Sequence, residues 1–211
     1  RNSNQLYLES LMNMLDLQVT LSVRVPDSRE ETMANIRAAS EVADIIVMSG
    51  GVSVGPHDHV KEAAKGLGFE RHLWKVAQKP GKPLYFASND NTLLFGMPGN
   101  PVSTLVSTLH YLYPTIQKIA GNPAPGLRKF YCRFNNTVTG LKMGRARFLL
   151  VKVISQEQST GEIIVEPVSK QHSHMLSGVT SSDGYVTIPA NTEQVAQDQE
   201  LMIQLYPWTK I

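Results

Sequence analysis

One cysteine, Cys132, in 211 residues excludes an internal disulfide and a cysteine-built metal centre. It fits a reducing compartment, so the cytoplasm is the expected location. Neither sign of charge dominates: 20 Lys+Arg against 18 Asp+Glu leave a formal +2. The basic residues form no stripe, and no nucleic-acid partner is expected. Long apolar runs are missing too. Ile45 to Met48 and Thr92 to Phe95 fall far short of the about 20 residues a membrane span needs, so no membrane segment is expected. What is present suffices for a core: 42% hydrophobic and 18% charged residues, in a length that holds one large or two small domains. The chain opens on Arg1-Asn2-Ser3-Asn4 without a methionine, which reads as a fragment.

The first half alternates helix and strand. Leu6, Leu11, Met14 and Leu15 recur at near-helical spacing behind the candidate caps Asn2 and Ser3. Val19, Leu21, Val23 and Val25 alternate with polar residues, the period of a strand ending at Pro26-Asp27. Ser28 and Glu31 form a capping box for a helix to about Glu41, and Ala43 to Met48 reads as a strand buried on both faces. This order predicts a parallel sheet covered by helices, with ligands beyond the carboxyl ends of its strands. A helix from His57 to Lys65, a strand from His72 to Ala77 and a hairpin of Leu84 to Ala87 with Thr92 to Met97 follow. Asn100 and Pro101 then start a helix that runs to about Ala120, with a bend expected at Pro114.

Gly121-Asn122-Pro123-Ala124-Pro125-Gly126 is the best linker, which divides the chain into domains at 1–121 and 122–211. Beyond it five strands are expected, at Phe130 to Phe134, Phe148 to Ile154, Glu162 to Val168, Tyr185 to Ile188 and Leu201 to Leu205, with a turn at Gln158 to Gly161. They make a small barrel or sandwich, with Cys132 in its core.

Three loops carry chemistry. Ser49-Gly50-Gly51-Val52-Ser53-Val54-Gly55 can present backbone N–H groups and hydroxyls to an anion, although the same glycines serve a plain tight turn. Lys79 and Lys82 share a stiff Pro-Gly-Pro loop and suit a small dianion, or form an ordinary basic surface loop. Pro98-Gly99-Asn100-Pro101 permits close backbone approach, with Ser103 on the first turn of the helix, or is simply a well-capped helix start. Asp27 and Asp58 lie where the sheet would bind ligands and suit Mg²⁺ shared with substrate oxygens, while Asp27 equally suits a helix cap. The histidines lack zinc-ligand spacing.

These loops, in this order, resemble the molybdopterin molybdotransferase family, the MoeA and gephyrin E-domain group. The likeness extends through Asn2-Ser3-Asn4, Pro26-Asp27, Pro114, Gly121 and the stretch Ser173 to Pro189 with its Asp183-Gly184 pair. The resemblance implies a three-layer αβα molybdopterin-binding domain of the MogA-like kind, lacking its first strand, followed by a small β-barrel. It implies an enzyme that takes adenylyl-molybdopterin and molybdate, hydrolyses the adenylate with Mg²⁺ and releases molybdenum cofactor and AMP. By the same resemblance Asp27 and Asp58 serve activity and metal binding. Lys79, Lys82 and Ser103 surround the molybdate and pterin phosphate. Gly50, Gly51, Ser53, Gly99 and Asn100 hold the pterin together with Ser49, Gly55 and Pro98, and Ser173 and Ser177 approach from the barrel. A homodimer is implied for the full-length protein, with a molybdopterin adenylyltransferase as a candidate partner. Two departures stand out: the Thr-Gly-Asp-Glu strand of the family is not in this chain, and where the family carries an arginine near Leu150 this chain offers Arg145 and Arg147. The alternatives are a non-catalytic gephyrin-like scaffold and the adenylyltransferase itself, whose Thr-Gly-Gly-Thr-Gly loop the 49–55 segment does not match.

Overall fold

The computed structural model describes residues 3–53, 55, 58–157, 161–169, 171–172 and 176–211. Expectations at Asn2, His57, Ser173 and the turn at 158–160 lie outside them. In chain order the elements are α1 (Ser3–Met14), α2 (Arg29–Ser40), β1 (Ile45–Ser49), α3 (Val60–Gly66), β2 (Glu70–Trp74), β3 (Gln78–Lys79), β4 (Tyr85–Ser88), β5 (Leu93–Met97) and α4 (Pro101–Ser107). A π-helical turn (Thr108–Leu112) leads to α5 (Tyr113–Ile119), then β6 (Lys129–Phe134), β7 (Ala146–Gln156), β8 (Ile163–Pro167), α6 (Leu176–Thr180), β9 (Gly184–Ile188) and β10 (Glu200–Leu205). Two compact units result, one of residues 1–76 and 81–107 and one of 77–80 and 108–211.

The first unit is built on a four-stranded sheet in the order β1-β5-β4-β2. Among the described residues its one parallel pair is β1 with β5; the β4–β5 hairpin and the β2–β4 pair are antiparallel, which corrects the expected parallel sheet to a mixed one. The hairpin turn explains part of this, because a short connection forces antiparallel pairing. Asn89 Oδ1 accepts from the backbone N–H groups of Asn91 and Thr92 and sets that turn. Ile36 of α2 and Ala63 and Ala64 of α3 pack on Ile46, Tyr85, Ala87 and Leu94 from one face. Phe86 and Phe95 alternate onto the opposite face, with ring centroids 4.7 Å apart; α4 contacts β5, and α1 packs on α4, so the unit has three layers. Ser28 caps α2 as its spacing predicts, accepting from Glu31 N at 3.4 Å.

The strand predicted at Val19 to Val25 is not formed. Residues 17–26 enter no ladder among the described residues, and Val19, Leu21 and Val23 are exposed. Alternation marks a chain suited to extended geometry, but a strand also needs a neighbour to satisfy its N–H and C=O groups. The helix expected from 101 to 120 is helical throughout, yet its irregularity is the π turn just before Pro114. Proline lacks the N–H for the carbonyl four residues back and crowds it, and a wider turn relieves both problems. Gly121, at φ 81°, ends α5: its N–H reaches Lys118 O at 3.1 Å and Asn122 N reaches Gln117 O at 2.9 Å.

The second unit is a closed five-stranded barrel in the order β7-β8-β6-β10-β9, sealed by β9 pairing back onto β7. All five strands expected from alternation are present. Cys132, Phe134, Val151, Ile163, Val186 and Leu205 are among the residues filling its core. Burial pushes the Cys132 thiol up to about 11, as suits a packed core residue. The Asp183-Gly184 pair has a packing reason: a Cβ at Gly184 would lie 2.3 Å from Gln204 O, and Asp183 Oδ2 accepts from Val153 N at 2.8 Å. No helix among the described residues is long and apolar enough to cross a membrane.

Candidate functional site

At the end of β1 the chain turns through Gly50 (φ 94°) and Gly51 (φ 70°), left-handed geometry that favours glycine. Gly50 N donates to Met97 O at 2.9 Å, fastening this turn to the end of β5. Val52 is 1% exposed and fits into the space left by Gly96, where an added Cβ would come within 2.3 Å of its Cγ1. Its carbonyl accepts from Trp74 Nε1 at 3.1 Å. Lys61 and Lys75 place their ammonium groups 4.1 and 4.0 Å from the Trp74 ring centroid, and Lys61 also donates to Ser53 O. The loop is therefore anchored through Val52 and Ser53, while Ser49 and Ser53 remain exposed. Asp58 closes the far end, its carboxylate accepting from Gly55 N.

The turn at Pro98 to Asn100 lies beside the first. A Cβ on Gly99 would stand 3.8 Å from Gly50 Cα. Thr104 fixes the turn from within α4, donating to the carbonyls of Pro98 and Asn100. Asn4 Nδ2 joins both turns, donating to Ser49 Oγ at 2.6 Å and to Gly99 O at 2.8 Å. Ser103, expected at the open end of the helix, is 3% exposed and sits inside the unit. Asp27 is exposed ahead of α2; the cap is Ser28, so the cap reading of Asp27 does not hold.

Lys79 and Lys82, expected in one loop, belong to different units. Lys82 is exposed in the first, its carbonyl held by Val76 N at 2.9 Å. Lys79 is a strand residue of the second, because Gln78 and Lys79 pair in parallel with Ala146 and Arg147 of β7. Gln78 is 2% exposed, and its amide oxygen accepts from Tyr111 of the π turn. The next residue back, His110, bonds Tyr185 Oη at 3.1 Å and meets Phe148 edge-on at 4.7 Å. Partial burial, then Arg147, Arg145 and Lys142, lower the Lys79 ammonium below its ordinary value. An anion among these four cations would relieve their repulsion. Ser177 is an exposed residue of α6 in the same unit, its carbonyl accepting from Ser181 Oγ at 2.7 Å. Ser173 lies outside the described residues.

Among the described residues no three His, Cys, Asp or Glu side chains cluster as a metal cage. Asp58 is occupied in closing its own loop and Asp27 is exposed ahead of α2, and no contact seen joins the two carboxylates.

A family model of the probable molybdopterin binding domain matches residues 1–118, and one of the MoeA C-terminal region (domain IV) matches residues 140–206. The chain belongs to the family of the probable molybdopterin binding domain. It is 30% identical over 203 residues to the molybdopterin molybdenumtransferase of Haemophilus influenzae, covering 96% of this chain and 50% of that protein. It is 31% identical over 198 residues to the molybdenum cofactor synthesis protein cinnamon of Drosophila melanogaster, covering 90% of this chain and 31% of that one. The solved structure of a molybdopterin biosynthesis MoeA protein from Pyrococcus horikoshii superposes with a TM-score of 0.79 at 25% identity, over 98% of this chain and 49% of the other. The chain thus spans half or less of the length of these relatives.

In this chain several residues at the turns have no role in a reading of the loops alone: Asn4, Trp74, Lys61 and Thr104 near the glycines, and Gln78 and Tyr111 behind Lys79. Asn4 had a signal. It lies seven residues before Leu11, so a carboxamide falls on the buried stripe of α1.

Proposed function

We propose that this chain is part of a molybdopterin molybdotransferase, which inserts molybdate into adenylyl-molybdopterin and releases AMP. The observation that carries the reading is the apposition of the Ser49–Gly51 and Pro98–Gly99 turns, bridged by Asn4. Two backbone turns joined at the strand ends, with hydroxyls exposed beside them, suit a ligand bearing phosphoryl oxygens. Similarity to a molybdopterin molybdenumtransferase and to the probable molybdopterin binding domain supports the pterin and the transferase chemistry.

In this reading Ser49, Gly50, Gly51, Ser53 and Gly55 bind the pterin phosphate together with Pro98, Gly99 and Asn100. Lys82 of the first unit attracts phosphate, and Lys79 of the second, among its own cationic neighbours, attracts an oxyanion such as molybdate. Ser173 and Ser177 are the substrate-contact candidates of the second unit, and Ser103, buried within the first, is not among the contacts. Asp27 and Asp58 hold Mg²⁺, which when bound offsets phosphate charge during hydrolysis of the adenylate. Residues 1–121 act as the pterin-binding domain and 122–211 as the barrel domain, in a cytoplasmic homodimer of the full-length protein supplied by a molybdopterin adenylyltransferase.

The test is AMP release from adenylyl-molybdopterin with and without molybdate, together with direct binding of molybdopterin under anaerobic conditions. Molybdate-dependent AMP release supports the transferase. Pterin binding with no AMP release in the full-length protein indicates the scaffold instead, and loss of pterin binding in both removes the proposal altogether.

A further inference from the structure

α1 buries Asn4 on the face it shares with Leu11. A carboxamide withdrawn from water is costly unless its hydrogen-bonding groups are used. Both Nδ2 protons are used, one on Ser49 Oγ and one on Gly99 O. The orientation of the amide is dictated by chemistry, because the Gly99 carbonyl can only accept and so must face the nitrogen. The two acceptors belong to different turns, separated by 50 residues of chain yet brought within reach of one side chain.

The second bond has a chemical consequence. A hydroxyl has one proton to donate and lone pairs to accept with. When Asn4 donates to Ser49 Oγ it occupies a lone pair, and the Ser49 proton remains for another acceptor. Ser49 is exposed, and among the described residues its hydroxyl donates to no protein group in the hydrogen bonds seen. We infer that Asn4 is a positioning residue for the ligand: it sets the gap between the two turns and orients the Ser49 hydroxyl as a donor toward a phosphoryl oxygen. This rests on the pterin-binding reading above and adds to it the group that arranges the phosphate contact.

The test measures molybdopterin affinity by anaerobic titration alongside thermal melting, for the unmodified chain and for Asn4→Ala, Asn4→Asp, Ser49→Ala and Asn4→Ala/Ser49→Ala. Asn4→Asp replaces two donors with acceptors and turns the Ser49 proton onto the new carboxylate, so at least tenfold weaker binding is expected. Asn4→Ala is expected to weaken binding several-fold to tenfold. In the Ser49→Ala background its effect shrinks, because the hydroxyl it orients is gone. Full affinity in a folded Asn4→Ala, even with a lowered melting temperature, assigns a structural role only and overturns the inference. Independent, multiplying effects of the two substitutions overturn it as well. Ser49→Ala alters an exposed side chain and keeps the fold, so unchanged affinity there overturns the inference even where Asn4 variants fail to fold. If the unmodified chain binds no molybdopterin, the functional reading falls and this inference falls with it.

Discussion

Gly96 of β5 and Val52 of the glycine-rich loop interlock: a methyl group added to the glycine would stand 2.3 Å from Val52 Cγ1 and 3.1 Å from Tyr85 Cβ. The strand thus holds the loop through the absence of a side chain. Gly96→Ala is expected to destabilise the protein by about 1–3 kcal/mol through overpacking, read by urea unfolding. Adding Val52→Ala should recover part of that loss, because it removes the methyl that clashes. Equal stability of Gly96→Ala and the unmodified chain would show that the loop is not held there.

Trp74 makes two kinds of contact with the same loop. Trp74→Phe keeps a ring for Lys61 and Lys75 but deletes the Nε1 bond to Val52 O, and should cost about 1 kcal/mol. Trp74→Leu also removes both cation–π contacts and should cost about 1–2 kcal/mol more. Melting curves of the two variants separate the contributions; identical curves would contradict this division.

For Lys79, the lowered ammonium reflects partial burial and three cationic neighbours. Lys79→Gln is expected to leave stability within about 0.5 kcal/mol while weakening binding of molybdate several-fold. The pH dependence has a definite sign. Below 10.5 and above the lowered value, the unfolded chain keeps this proton more tightly than the folded one, so this group's contribution to stability rises with pH. Anion affinity falls over the same window as the charge is lost. Titration calorimetry with molybdate across alkaline pH should show the fall, and Lys79→Gln should flatten it.

His110 works in the acid direction. Burial, and to a lesser degree Lys129, hold its pKa below 6.5; Tyr111, Phe148 and Tyr185 are the rings around it. The unfolded chain therefore takes up a proton first as pH falls below 6.5, and the stability this neutral histidine contributes is lost toward its lowered folded value. His110→Gln should flatten that part of the stability–pH curve. A slope unchanged by the substitution would place the titrating group elsewhere.

Much of the barrel was legible from alternation around a buried side, as in Cys132 and Phe134, and from short apolar runs such as Phe148 to Val151, which are buried throughout. The same signal misled at Val19 to Val25, where alternation is present but pairing is not. Lys79 and Lys82 read as one loop because only Pro80 and Gly81 separate them; that β7 captures Gln78 and Lys79 depends on pairing with residues 146 and 147, far along the chain. The glycines of both turns were visible as motifs. Their mutual approach arises from packing that no local pattern encodes, and the helical spacing of Asn4 from Leu11 marks it as buried without showing what it bonds.

The two units differ in how they present their backbones. The closed ring of β7, β8, β6, β10 and β9 leaves only the two-residue β3 as an edge, whereas among the described residues β1 pairs with β5 alone, and residues 17–26 enter no ladder and leave Val19, Leu21 and Val23 uncovered. An unpaired strand edge with apolar side chains near it is a template for intermolecular β-addition. When this chain is concentrated, self-association should therefore begin in the α/β unit and be suppressed by a lysine at position 21 or 23, with the barrel taking no part.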